Sequence, residues 1–168
     1  MKKRGFGQQI GRDSAHVPPL WNKVRQAEKA YISCGSGFLS ALWLLRTYRE
    51  AADSTDSGLD EPMRAYVLNN CAWFLATTDH LLLRNPMEAI DKAEKAVELT
   101  RRQEPMYLDT LAEALFRAGR VHEALEVERR ALKLMPDAPY LKPQIEKFKK
   151  ALGQSGGQSP SYRPDDNQ

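Results

Sequence analysis

Apolar residues recur three and four positions apart over most of the chain between residues 20 and 152, the spacing of amphipathic helices. The stretch from Leu20 to Ile32 predicts one helix, and the stretch from Phe38 to Ala52 predicts a second, with a Gly- and Ser-containing turn between them. The positions of the second helix that we expect to face a core are Phe38, Ala41, Leu42, Leu44, Leu45 and Tyr48.

Polar residues mark the next two helix starts. A Ser-, Asp- and Gly-rich linker covers residues 53–58, and Asp60 then precedes Glu61 and Pro62, the residue types that suit an N-cap and a first helical turn. This helix is expected to run to about Ala76. Asn85, followed by Pro86 and by Glu88, predicts another helix start of the capping-box type.

A repeat organises the second half of the chain. Glu88, Ala89, Ala96 and Leu99 recur 35 positions later as Glu123, Ala124, Ala131 and Leu134. The interval is close to the period of about 34 residues that tetratricopeptide repeats use. The sequence therefore predicts two copies of one helical unit.

The later copy resembles a tetratricopeptide repeat from Pro105 to Asp137. The residues that carry the resemblance are Leu108, Leu111, Ala112 and Leu115 in the first helix, Gly119 in the turn, Ala124 and Ala131 in the second helix, and Pro136 at its end. The earlier copy has Leu68, Cys71, Ala72 and Leu75 in its first helix. It departs from the family by an insertion around residues 78–82 and by lacking the terminal proline, and Ala93 and Glu128 stand where the family often has an aromatic residue.

The predicted fold is all-α: antiparallel helix-turn-helix repeats forming an α-solenoid of the tetratricopeptide type, with an N-terminal helical hairpin. We expect a disordered tail at residues 1–19, the hairpin at 20–53, the repeat domain at 60–152 and a disordered, Gly- and Ser-rich tail at 153–168. The segment from Pro139 to Leu152 is predicted to be the capping helix that such an array requires. Residues 20–53 are either a degenerate third repeat or an unrelated hairpin.

The resemblance implies a concave groove, lined by the first helices, that receives a peptide or a helix of a partner protein. The groove positions carried over from the family are Tyr66, Asn69, Asn70, Trp73, Asp109, Thr110, Glu113, Phe116 and Arg117. In this family an Asn at the position of Asn70 contacts a peptide backbone, since a carboxamide both donates and accepts hydrogen bonds. Because Asn69 and Trp73 stand where chaperone-binding members carry basic residues, capture of an acidic chaperone tail is not expected.

Each groove residue also has a purely structural interpretation. Trp73 would then be a core aromatic, Asn69 and Asn70 would be solvated, and Asp109, Glu113 and Arg117 would form an ion-paired helix face.

The net charge and the placement of His, Cys and Gly residues argue against several classes of function. With 25 basic and 22 acidic residues the net charge is +3, without the basic stripe of nucleic-acid binders. The three histidines are dispersed, Cys34 and Cys71 lack metal-ligand neighbours, and no Gly-rich phosphate loop occurs. We therefore expect a cytoplasmic, non-enzymatic scaffold or adaptor protein that uses no cofactor or metal and binds no nucleic acid.

One segment supports an alternative function. No charged residue occurs from Ala30 to Leu45, a run too short and too Gly-rich to span a membrane. Residues 38–45, followed by Arg46 and Arg49, would in this alternative form the contact surface of a self-assembling or membrane-peripheral structural component.

Overall fold

A computed structural model describes residues 17–33, 37–54 and 58–155 of the chain. They form α-helices and one short 3₁₀ turn, Leu81–Leu83, and the described part contains no strand. The helices are α1 (Pro19–Ser33), α2 (Phe38–Asp53), α3 (Glu61–Thr77), α4 (Pro86–Leu99), α5 (Pro105–Arg117), α6 (Val121–Leu134) and α7 (Leu141–Ser155). The predicted all-α architecture is confirmed.

The predicted helix starts are supported by side-chain caps. The Asp60 carboxylate accepts a hydrogen bond from the Met63 N–H at 2.9 Å, and the Asn85 carboxamide oxygen accepts one from the Glu88 N–H at 3.2 Å. Each cap satisfies an amide that has no partner inside the helix, which is why these two positions begin α3 and α4.

The ends of α4 and α5 share one backbone motif. At the end of α5, the Gly119 N–H donates to the Phe116 carbonyl and the Arg120 N–H donates to the Leu115 carbonyl. The end of α4 repeats this Schellman pattern through the N–H groups of Arg101 and Arg102. The residue after the cap has a positive φ in both motifs, 80° at Gly119 and 52° at Arg101. Glycine fits this conformation without strain, whereas arginine does not.

The helices pack as successive antiparallel pairs, α1 with α2, α3 with α4 and α5 with α6, and α7 closes the array against α6. Each pair contacts the next through its second helix, so the N-terminal hairpin joins the array as the other pairs do. The first helices α3 and α5 also contact each other, more extensively than the second helices α4 and α6. This closer spacing makes the first-helix side the inner side of the array.

Small residues allow the helices to approach closely. Ala112, Ala124 and Ala131 are completely buried where helices cross, and Leu108, Leu111 and Leu115 fill the space around them. The two residues that stand where the family often has an aromatic residue also lie inside, because Ala93 and Glu128 are both fully buried. The repeat positions therefore form a continuous core.

The structure corrects the predicted core face of α2. Ala41, Leu44, Leu45 and Tyr48 are buried as expected, but Phe38 and Leu42 are each 42% exposed. Since α2 packs on one side only, against α1 and α3, apolar residues on its other side remain in contact with solvent.

The C-terminal helix also differs from its prediction in extent. It begins two residues after Pro139 and runs to Ser155, three residues into the expected tail. Leu141, Ile145 and Phe148 form its buried apolar stripe. Of the tails expected at residues 1–19 and 153–168, residues 1–16 and 156–168 lie outside the described residues, as does Cys34. Among the described helices, none is both long enough and apolar enough to cross a bilayer.

Candidate functional site

The nine predicted groove residues lie on α3 and α5, the two first helices that contact each other on the inner side. Arg117 is exposed, whereas Tyr66, Trp73 and Phe116 are half-buried. The remaining five, all polar or charged, are at most 7% exposed: Asn69, Asn70, Asp109, Thr110 and Glu113. Aromatic side chains therefore line an accessible surface above a buried polar layer.

Glu28 of α1 organises the polar layer at the N-terminal end. Its Oε1 accepts hydrogen bonds from the Tyr48 hydroxyl at 2.8 Å, the Tyr66 hydroxyl at 3.2 Å and the Asn70 Nδ2 at 3.3 Å. These donors come from α2 and α3, so one carboxylate oxygen connects three helices. The Asn70 amide is thus engaged within the chain itself.

The environment of Glu28 changes the acidity of both phenols. Burial, followed by the charge of Glu28 and its hydrogen bond, raises the pKa of Tyr48 well above its ordinary value. The pKa of Tyr66 rises too, through burial and then the charge of Glu28. Because both phenols stay protonated at neutral pH, they remain donors to the carboxylate.

A second polar group lies at the middle of the layer. Asn69 on α3 is 1% exposed, and its Nδ2 approaches the Asn70 Oδ1 at 3.5 Å. The Asn69 Oδ1 has no hydrogen-bond partner among the described residues. On α5, the Thr110 hydroxyl donates to the Met106 carbonyl at 3.1 Å. The alternative of solvated asparagines is therefore wrong, since both Asn69 and Asn70 are buried.

Glu113 of α5 organises the C-terminal end. Its Oε1 accepts from the Arg117 Nε at 2.8 Å, and its Oε2 accepts from the Gln144 Nε2 at 3.3 Å and from the Lys147 Nζ. Gln144 and Lys147 belong to α7, so this carboxylate attaches the last helix to the array. The predicted ion-paired face is therefore present between Glu113 and Arg117.

Aromatic rings complete this end of the surface. The rings of Phe116 and Phe148 lie 4.9 Å apart, and the Lys147 ammonium lies 4.8 Å from the centre of each ring. Lys147 is half-buried, because Glu113 and the two rings attract its charge.

Glu28 and Lys147 are two of the residues that the sequence did not assign to this surface. Glu28 lies in the hairpin, for which no repeat register was available, and its donors belong to two other helices. Lys147 follows the polar spacing of an ordinary outer helix face. No local signal identifies either residue, since both roles depend on how α1 and α7 dock onto α3 and α5.

The chemistry available here is hydrogen bonding and ion pairing. Cys71 lies behind the surface, completely buried, where burial and then the charge of Glu88 raise its thiol pKa to about 12. A thiol of this pKa is a poor nucleophile at neutral pH. Within the described ranges, no three His, Cys, Asp or Glu side chains are grouped so that they could hold a metal ion.

Comparison with known proteins was made on sequence and on structure. No protein-family model and no curated protein matches the sequence. Among solved structures, the first TPR domain of human RPAP3 aligns with a TM-score of 0.64 at 16% identity, over 83% of this chain and 97% of that domain. The first TPR of Spaghetti (RPAP3), bound to the HSP90 peptide SRMEEVD, gives 0.60 at 17% identity, over 80% of this chain and 95% of that one.

A third similar structure comes from Plasmodium falciparum. The C-terminal TPR-containing domain of its putative FK506-binding protein PFL2275c aligns with a TM-score of 0.61 at 18% identity, over 83% of this chain and 91% of that domain. Residues 60–152 alone could not provide this coverage, so the alignment extends into the α1–α2 hairpin. The chain therefore has the fold of a tetratricopeptide-repeat domain, with the N-terminal hairpin included in that fold.

Proposed function

We propose that the chain is a non-enzymatic, cytoplasmic adaptor that binds a peptide or a helix of another protein along its inner surface. The observation that carries the proposal is the row of half-buried aromatic side chains, Tyr66, Trp73 and Phe116, on the two adjacent first helices. Such rings offer a large apolar contact area that remains accessible to a ligand.

The buried polar layer gives this surface its rigidity. Asn70 donates a hydrogen bond to Glu28. Glu113 accepts hydrogen bonds from Arg117, Gln144 and Lys147. In this proposal they hold the aromatic residues in place, while the accessible residues Tyr66, Trp73, Phe116 and Arg117 contact the ligand. Preorganised side chains lose little freedom on binding, which favours affinity.

The charges of the surface bear on ligand choice. Three carboxylates, those of Glu28, Asp109 and Glu113, belong to the inner side, and neither Asn69 nor Trp73 supplies a cation. The HSP90 peptide of the Spaghetti structure, SRMEEVD, carries three acidic residues. We propose that the ligand of this chain is instead apolar or aromatic, because the cations of this side, Arg117 and Lys147, are already paired with Glu113, and aromatic rings form much of the accessible surface.

Site-specific photo-cross-linking from accessible positions tests the proposal. The full chain would carry benzoylphenylalanine in place of Arg117 or of Trp73, and in a control in place of Glu126, which is exposed on the outer face of α6. We expect the two inner positions to cross-link the same partner from native lysate and the Glu126 position not to do so.

A double variant, Asn70→Ala with Arg117→Glu, provides the complementary measurement. It should lose that partner while circular dichroism shows an unchanged helix content. Equal cross-linking from the inner and outer positions would contradict the proposal, as would full retention of the partner by a folded double variant.

A further inference from the structure

A second exposed surface lies on the other side of the molecule. On α2, Leu39, Leu42, Trp43 and Arg46 follow the three- and four-residue spacing of a single helix face. Leu39 is 78% exposed, and Leu81 and Leu82 of the 3₁₀ turn are 73% and 89% exposed. We call Phe38, Leu39, Leu42, Trp43, Leu81 and Leu82 the apolar outer patch.

The two segments of the patch are neighbours in space. The ring of Phe38, in the first turn of α2, meets the ring of His80 edge-on, with centroids 5.6 Å apart. This contact brings the start of α2 next to the turn that carries Leu81 and Leu82. The insertion in the earlier repeat therefore adds two protruding leucines to the apolar face of α2.

The charged side chains around the patch differ in their surroundings. Three carboxylates on this side are paired, Glu50 with Lys23 at 2.6 Å, Glu88 with Arg49 at 2.6 Å and Asp53 with Lys92. Arg46, in contrast, is exposed on the same helix face as Leu42 and Trp43. One exposed acid, Asp79, lies next to His80.

From these observations we infer that the apolar outer patch docks the protein on an anionic membrane surface. Leucines at a turn tip and a helix face with Phe and Trp insert readily among lipid headgroups, where a deformable layer accommodates protruding side chains. The exposed guanidinium of Arg46 complements anionic headgroups. This inference does not depend on the inner surface.

Sedimentation with lipid vesicles tests the inference on the full chain. Vesicles of phosphatidylcholine with 30% phosphatidylserine, roughly the anionic content of a cytoplasmic leaflet, should bind the wild type more strongly than pure phosphatidylcholine does. The variant Leu81→Glu/Leu82→Glu should lower the partition coefficient about tenfold or more, since two inserted apolar side chains are replaced by acids. Met135→Glu, which alters a residue of 40% exposure beyond α6, should bind like the wild type.

A charge variant separates lipid attraction from apolar contact. Arg46→Glu should lower binding to anionic vesicles about fivefold or more and leave binding to pure phosphatidylcholine nearly unchanged. The inference is overturned if the folded wild type does not bind anionic vesicles, or if Leu81→Glu/Leu82→Glu binds them equally well. It is also overturned if the wild type, without binding vesicles, forms dimers in sedimentation velocity that this variant abolishes, because the patch would then contact a second copy.

The groove cross-linking experiment distinguishes the two proposals. Cross-linking from residue 117 should persist in Leu81→Glu/Leu82→Glu, and vesicle binding should persist in the Asn70→Ala/Arg117→Glu variant. Each surface can therefore fail its own test without affecting the outcome of the other.

Discussion

The helices α2 and α6 occupy equivalent places, each as the second helix of a pair, yet they present different surfaces to solvent. Both bury alanines against their partners, Ala41 and Ala51 in α2 and Ala124 and Ala131 in α6. The exposed residues of α6 before its last position are polar or charged: His122, Glu123, Glu126, Arg129, Arg130 and Lys133. The exposed face of α2 begins with Phe38, Leu39, Leu42 and Trp43.

This difference separates what the fold needs from what it does not need. The fold requires small and apolar residues on the buried side of a second helix, and α6 shows that the outer side can be polar up to the last residue of the helix. The apolar outer side of α2 therefore contributes little to folding. A role in contact with another surface explains it better.

The largest expected effect tests this separation within α2. Leu45→Ala should lower the free energy of unfolding by about 2–5 kcal/mol, because Leu45 is 1% exposed and its removal leaves a cavity. Leu42→Ala, at 42% exposure on the outer side, should change it by less than about 1 kcal/mol. Urea unfolding followed by circular dichroism measures both. Similar losses for the two variants would mean that the outer face also supports the fold.

The next effect concerns the two carboxylates of the inner side. Glu113 meets the charged groups of Arg117 and Lys147, whereas the donors to Glu28 are neutral. Glu113→Gln should lower stability by about 1–3 kcal/mol, because it weakens charge-assisted hydrogen bonds to a buried group. Glu146→Gln removes an exposed ion pair with Lys149 and should cost at most about 1 kcal/mol. Equal unfolding midpoints for both variants would contradict the role given to Glu113.

An effect that is smaller per pH unit appears at alkaline pH around Cys71 of α3. The Cys71 thiol has a pKa of about 12 in the folded chain against 9.0 when unperturbed. Between these values the folded state keeps a proton that the unfolded chain has lost. The stability from this group is complete below pH 9 and falls as the pH rises toward 12, with a slope of at most about 1.4 kcal/mol per pH unit.

Urea unfolding at several pH values above 9 measures this decline. The variant Cys71→Ala removes the thiol, so its stability should fall less steeply than that of the wild type. Tyr48 and Tyr66, whose pKa values are also raised by burial, contribute at higher pH in both proteins. Parallel pH profiles for the two proteins would show that the thiol does not titrate as the structure implies.

The smallest expected effect compares the two helix ends that share a Schellman motif. Arg101→Gly should raise stability by about 1 kcal/mol, because glycine adopts the positive φ of 52° without strain. Gly119→Ala should lower it by a similar amount, although no neighbouring atom lies within 4 Å of the added methyl group. Thermal unfolding of both variants checks the pair. Stability changes of the same sign in the two variants would show that the space around the side chain, and not the backbone conformation, determines the effect.

Much of the fold was accessible from sequence because its signals are local. Asp60 and Asn85 mark helix starts through caps that involve residues three positions away, and Gly119 marks a helix end through its own φ. The 35-residue recurrence from Ala89 to Ala124 then sets the pairing of helices. The caps and the turn need only neighbouring residues, and the recurrence needs only two successive repeats.

The rest depended on contacts between repeats. Apolar spacing could not tell the inner face of α2 from its outer face, because Phe38 to Leu45 contains apolar residues on both. The predicted groove residues were correctly placed on α3 and α5, but their spacing did not reveal that Asn70 bonds to Glu28. Their contact with a ligand stays a prediction.

The nearest-neighbour packing of the helices has a consequence for motion. Since each helix is held mainly by those before and after it, the end helices can detach without breaking the centre. The carboxylates of Glu28 and Glu113 oppose this fraying at α1 and α7 respectively. These contacts couple the two terminal helices to the middle of the array. Amide exchange with deuterated solvent should therefore be slowest in α3 and α5, and fastest in the parts of α1 and α7 that lie beyond the contacts with Glu28 and Glu113.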